Sequence, residues 1–380
     1  MKKYTIAILM LPIAVLAVIN FTSDKSQVKS AAIDCATYQN IQQCWDDQID
    51  AALKDQGLAE SFRLVSQLYQ AEPLFTSDCH GYVHKLGEST YFSYKKGEQI
   101  NLPPETAYCG YGFYHGFMEK LLTDGGHIVD AGHFCDYAAQ RVTTVLADAC
   151  YHGAGHGAMA LSTADPALWS KPGALVSKST KICNQLSGDE IKISRCNSGV
   201  FMEIANYFIG GEYKLEPDSN DPLGICLSQP DDLKMDCYTQ MYAVLRKISG
   251  NNFQKAVVFV ERIKGDRYAE ESIQTLAGAM LDIKKSHFDD EIKVCRGLRR
   301  NLEPWCIRGL ALAFMLNSTP GQEYKEAIRF CQTAGLGDKE QDACFALILS
   351  QATNTYELPV ISDVCRLVPS RYYGKYCTTS

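Results

Sequence analysis

The sequence contains no C-x-x-C pair, which removes the spacing of zinc ribbons and thioredoxin-like redox motifs. It contains no C-x-x-C-H either, so covalently attached haem of the usual kind is excluded. Strict alternation of apolar and polar residues is scarce and no Asn-Gly dipeptide occurs, so strand and tight-hairpin signals are weak. Basic residues are scattered and the formal net charge is −7, which leaves a nucleic-acid partner without an electrostatic footing. Histidine is almost missing from most of the chain: seven of the eight lie between His80 and His156.

What is present excludes wholesale disorder. Hydrophobic residues make up 46% of 380 positions, enough for one elongated domain or two compact ones. Lys2 and Lys3 precede an apolar run of 18 residues from Tyr4 to Phe21, followed by a polar stretch to Ser30. This reads as an export signal, either cleaved or kept as a membrane anchor, with the positive end in the cytoplasm. The remainder is then extracytoplasmic (periplasmic, secreted or anchored facing outward). In such a compartment sixteen cysteines read as eight disulfides.

From Cys135 onward the cysteines fall into short-range pairs: Cys135 with Cys150, Cys183 with Cys196, Cys226 with Cys237, Cys295 with Cys306, Cys331 with Cys344, and Cys365 with Cys377. Each pair is 11 to 15 positions apart, with mostly polar residues between and a new apolar run after the second member. This fits antiparallel helices whose connecting turn is crossed by a disulfide, each cross-link stabilising by ~3 kcal/mol through the unfolded chain. Phe253 to Leu281 reads as a further hairpin without cysteines, turning at KGDR. Around it, the second cysteines recur at roughly 30 to 46 residues, the period of stacked helix-hairpin arrays. The expected fold is all-α, an array of disulfide-stapled helical hairpins, α-solenoid-like and strongly curved if its histidines converge. A non-repeating helical fold with local disulfides is the alternative. The expected divisions are 1–30, signal or anchor plus linker; 31–210, histidine-bearing repeats; and 211–380, C-terminal stapled repeats.

A short pattern follows four of the cysteines. HGYVH with His80 and His84 follows Cys79, YGFYH with Tyr111 and His115 lies just after Cys109, and HGAGH with His152 and His156 comes after Cys150. The fourth copy, after Cys196, reads SGVFM from Ser198 to Met202 and is followed by Glu203. If these are first turns of helices, the first and last positions of each copy share a face. Two histidines four apart can hold one ion as in the zincin helix, but the zincin glutamate is absent and that activity is not implied. Glu88 and Glu119 stand one turn further on, four after His84 and His115. The glycines Gly81, Gly112, Gly153 and Gly199 cost ~1 kcal/mol each in a helix, so their repetition implies close helix approach or ligand access. With Cys35 joined to Cys44, Cys79 and Cys109 remain as partners, their α-carbons expected about 5.5 Å apart. One obstacle is geometric: helices packed at about 8–10 Å would leave the first and third copies nearly 20 Å apart unless the array curves.

The candidate metal ligands are therefore His80, His84, His115, His152 and His156, with Glu88, Glu119 and Glu203 as candidate bases, oxygen ligands or orienting groups. Imidazole with carboxylate suits iron, copper or zinc, as well as nickel and manganese, and disulfides withdraw thiolate from the ligand set. His127 and His133 are weaker candidates, His287 reads as solvated, and Met202 reads as core. Tyr82, Tyr111, Tyr114 and Tyr151 read as packing residues. The expected function is an extracytoplasmic transition-metal-dependent enzyme, hydrolytic or oxidative. The alternatives are a non-catalytic protein that binds or senses metal or haem, and a helical-repeat scaffold for a protein partner. Non-reducing peptide mapping is expected to recover Cys183 with Cys196, Cys226 with Cys237, Cys295 with Cys306, Cys331 with Cys344 and Cys365 with Cys377. Free thiols at most of these positions would remove both the export reading and the hairpins.

Overall fold

A computed structural model describes residues 37–140, 144–318, 322–356 and 358–372, together with 35 and 377. The apolar N-terminal run and its linker lie outside the described residues. Among the described residues there are nineteen α-helices, four 3-10 turns and no strand. No described helix is long and apolar enough to cross a membrane.

From Ile128 onward several helices form stapled pairs of an outer and an inner member. In these the outer helix ends near its cysteine, the chain turns, and the inner helix brings the second cysteine back against it. The pairs Ile128–Ala139 with Thr144–Thr163, Pro172–Cys183 with Glu190–Gly210, and Glu323–Thr333 with Asp338–Thr355 follow this plan. The cysteine-free hairpin is present as Phe253–Glu261 and Asp266–Met280. All eight expected disulfides form, and no described cysteine is free. Cys79 and Cys109 have α-carbons 5.5 Å apart. Such a set suggests an oxidising, extracytoplasmic environment.

Each inner helix packs on the next: Cys79–Lys95 on Gly112–Thr123, then Thr144–Thr163, Glu190–Gly210, Asp231–Gln240, Asp266–Met280, Glu303–Asn317 and Asp338–Thr355. The last of these also touches Thr144–Thr163, so the chain of contacts turns back on its own first half. The first four helices in that series carry the four pattern copies and are called here the first to fourth site helices.

One expectation is corrected. The third and fourth copies are not first turns, because their helices begin at Thr144 and Glu190, and Cys150 and Cys196 are each the seventh residue. The reason at the fourth helix is local: Asp189 caps it, its carboxylate accepting from the Ile191 N–H at 2.8 Å, directly after the turn. HGAGH and SGVFM thus lie in mid-helix, where both ends of each pattern still share a face.

Glycine removes the geometric obstacle. A Cβ on Gly116 would lie 2.0 Å from the His84 carbonyl oxygen, and one on Gly87 2.0 Å from that of Phe113, so the first and second site helices are in backbone contact. Gly155 and Gly199 do the same between the third and fourth, each 2.0 Å from a carbonyl oxygen of the other helix. Gly112 and Gly153 also meet neighbouring backbone, whereas Gly81 meets only the Asp78 side chain and joins no helix pair. Substituting Gly116→Ala or Gly199→Ala is expected to cost at least the ~1–3 kcal/mol typical of overpacking, because rigid backbone must part. Gly81→Ala serves as the control and should be neutral or slightly stabilising; thermal unfolding compares the three.

Candidate metal centre

The close helix contacts bring all eight expected site residues into one continuous cluster. On the first site helix, His84 holds Glu88 on its own helix, Nδ1 to Oε1 3.1 Å, and Glu119 of the second, Nε2 to Oε2 3.3 Å. Glu119 reaches on to His156 of the third helix, Oε1 to Nδ1 3.8 Å. The same His156 nitrogen lies 2.8 Å from Oε2 of Glu203 on the fourth. A second line runs through the other imidazoles. His80 Nε2 is 3.3 Å from His115 Nδ1, and the His115 ring stacks on His156 with centroids 4.2 Å apart. His156 Nε2 is 3.2 Å from His152 Nε2, which in turn is 3.2 Å from the sulfur of Met202.

Two acceptor groups set the proton positions of neutral rings. The Cys109 carbonyl can only accept, so His80 Nδ1 donates to it at 2.9 Å and leaves Nε2 bare. His115 Nδ1–H then donates to His80, and its own Nε2 keeps a lone pair. Glu203 likewise takes the Nδ1–H of His156 and leaves that Nε2 bare, the carboxylate–histidine arrangement that orients ligands in metal sites. The Cys79–Cys109 bridge contributes directly, since it ties the residue before His80 to the residue whose carbonyl holds the His80 ring.

Burial decides the electrostatics. His115 and His156 are each only 4% exposed, and a charged imidazole there lacks solvation. Burial and then the neighbouring histidines hold His115 well below the ordinary imidazole range. His152 is held well below it by burial, then by His156, Arg195 and His80. The His80 edge faces solvent, yet the protein packed round its ring lowers it, against the opposing Cys109 hydrogen bond. His84 goes the other way. Burial opposes its charge, but hydrogen bonds to Glu119 and Glu88 outweigh that and raise it to about 9. Glu203 is pushed up by burial and pulled down further by His156, with a net lowering.

Two groups of side chains place one potential ligand atom each within 4.8 Å of one another: His115, His152 and His156, and Glu119, His156 and Glu203. His80, His84 and Glu88 stand at the edge of these groups rather than inside them. His127 and His133 are exposed and outside the cluster, the former at the start of helix Ile128–Ala139, and His287 is exposed elsewhere. Tyr82, Tyr114 and Tyr151 are buried packing residues, as expected; Tyr82 stacks on Phe75 and Tyr114 bonds Thr106. Tyr111 caps the second site helix with a left-handed φ of 63°.

Met202 was read as core, and this is corrected: it is half-buried with its sulfur on His152. The signal was available, because Met202 occupies the histidine position of the fourth copy. Asn206, four after Met202 as Glu88 and Glu119 are four after their histidines, was overlooked in the same way; its amide donates to Glu203 Oε2 at 3.2 Å. Comparisons with protein-family models, with curated proteins and with solved structures found no match.

The opposite shifts have opposite consequences in metal-free protein. His84, raised, contributes stability that is full below about pH 6.5 and is lost as pH rises through about 9. His115 and His152, depressed, cost stability as pH falls below about 6.5, because the unfolded chain then binds the protons. Titration by NMR should show the His84 ring protonated at pH 8 while His115 and His152 are neutral at pH 7, and His84→Gln should flatten the stability loss between pH 7 and 9.

Proposed function

We propose that this chain is an extracytoplasmic transition-metal protein whose centre is held by His115, His152 and His156, with Glu119 and Glu203 beside it. The observation that carries the reading is the convergence of three imidazoles, two of them almost fully buried, from two different helices on one point. Three imidazoles that each place a nitrogen within 4.8 Å of the others are a ligand set that a cation would satisfy. Iron, copper and zinc all accept imidazole with carboxylate nearby. His80 and His84 orient the inner histidines and carboxylates from the rim. Residues 31–210 carry the centre, and 211–380 brace it from the stapled side or present a surface to a partner.

Catalytic use of the centre is a second reading, favoured by one observation. Glu119 is 29% exposed in its side chain while reaching His156, so a carboxylate able to take a proton stands between solvent and the buried histidines. A bound ion would supply Lewis acidity or redox chemistry there, hydrolytic or oxidative. Glu119 or Glu203, with Glu88 behind His84, would hold and move protons.

The purified extracytoplasmic domain is expected to retain stoichiometric metal on elemental analysis after reconstitution. His115→Ala and His156→Ala should weaken binding at least as much as the about 10–100-fold seen when outer partners are lost, with helicity and disulfides unchanged. His287→Ala should change nothing. Glu119→Gln should lower turnover more than metal content if the centre is catalytic. Absence of stoichiometric metal after reconstitution with iron, copper and zinc would sink the proposal.

A further inference from the structure

We infer that Met202 is a fourth ligand of this centre and that the ion it is built for is soft and monovalent, cuprous copper, rather than zinc. The inference rests on the metal-binding reading above and adds to it the identity of a ligand and the class of ion.

The carboxylates are already engaged in holding imidazoles. Glu203 Oε2 accepts from His156 Nδ1 and from Asn206 Nδ2, and the side chain also bonds Tyr207. Glu119 and Glu88 grip the two nitrogens of His84. The inward atoms that remain are uncharged donors: Nε2 of His152 and Nε2 of His156, which face each other, the thioether of Met202 against His152, and a nitrogen of His115 within 4.8 Å of the other two histidines. The spacings fit a shared ion. Four-coordinate bonds of the usual length for nitrogen and sulfur place ligand atoms about 3.3 to 3.6 Å apart. The His152–His156 and His152–Met202 separations are both 3.2 Å.

Ligand chemistry then selects the ion. Thioether sulfur is a soft, weak donor that favours Cu(I), whereas zinc prefers thiolate, imidazole or carboxylate. Thiolate is not on offer, since no described cysteine is free. Four neutral ligands offset none of the ion's charge, so a single positive charge costs less in a buried place than a double one. The repeat supports the same reading: at the pattern position where the first three copies carry His84, His115 and His156, the fourth carries methionine, an uncharged residue whose sulfur can ligate a metal.

The test uses the whole extracytoplasmic protein with Cu(I) alone, titrated anaerobically against a chromogenic cuprous chelator, and with Zn(II) alone. The wild type should compete for Cu(I), and X-ray absorption should show one sulfur scatterer among nitrogens. Met202→Leu, a swap of similar volume that preserves packing, should weaken Cu(I) by about 10- to 100-fold, remove the sulfur scatterer and leave Zn(II) affinity unchanged. Met202→His, which restores the pattern residue, should recover metal binding but shift preference toward Zn(II). Equal Cu(I) affinity in wild type and Met202→Leu, or a copper site without sulfur, would overturn the assignment of Met202. Tight Zn(II) with no Cu(I) binding would overturn the choice of ion while leaving the metal centre standing. Failure to bind either ion, or iron, would instead count against the centre itself.

Discussion

Backbone-to-backbone contact between neighbouring site helices is the constraint on which the rest of this structure depends. At Gly87, Gly116, Gly155 and Gly199 the space where a side chain would begin is taken by a carbonyl oxygen of the adjacent helix. Two consequences follow from that one packing choice. Side chains on the same face of successive helices come within hydrogen-bonding distance, and residues from the first to the fourth site helix form a single cluster. The helical glycines lower intrinsic helix stability, and the disulfides, among them those that staple the third and fourth site helices to their preceding helices, offset that loss by restricting the unfolded chain.

Within the cluster, polar groups are arranged in tiers of decreasing solvent contact. At the rim, His80 and Glu88 meet water, and the Cys109 carbonyl fixes the orientation of His80. Behind them His84 carries a positive charge between two carboxylates, so the rim is an ion triad satisfied by its own members. Deeper still, His115 and His156 stack, each 4% exposed, and burial holds His115 well below the ordinary imidazole range. The charged groups therefore lie at the rim, while the interior holds imidazoles with little solvent contact.

Much of this was legible in the sequence because it was written in short-range terms. Disulfide partners 11 to 15 residues apart, the repeated residue–glycine–x–x–histidine pattern and the i, i+4 carboxylates are all local regularities, and each maps onto a helix face by its period alone. Met202 and Asn206 are legible by the same rule, since they hold the histidine and carboxylate positions of the fourth copy, but an apolar residue reads as ordinary core and an amide in place of a carboxylate carries no such signal. Glu203 stood one residue out of register with the pattern, and its contact with His156 depends on the rotation of the fourth helix against the third.

The sequence by itself determined that the chain is helical and stapled in hairpins, and that histidine gathers in one part of it. These properties follow from periodicity, spacing and composition, which act along the chain. The tertiary structure decided whether four separate patterns make one site. That depends on interaxial distance, and a helix spacing set by ordinary side chains would have left the first and third copies apart. The same glycines could have served packing alone; only their placement opposite the carbonyls of Phe113, His84, Cys196 and His152 shows that the short spacing falls at the level of the histidines. Which nitrogen faces inward is likewise a tertiary result, because it follows from a carbonyl at Cys109 and a carboxylate at Glu203 that lie 29 and 47 residues from the rings they orient.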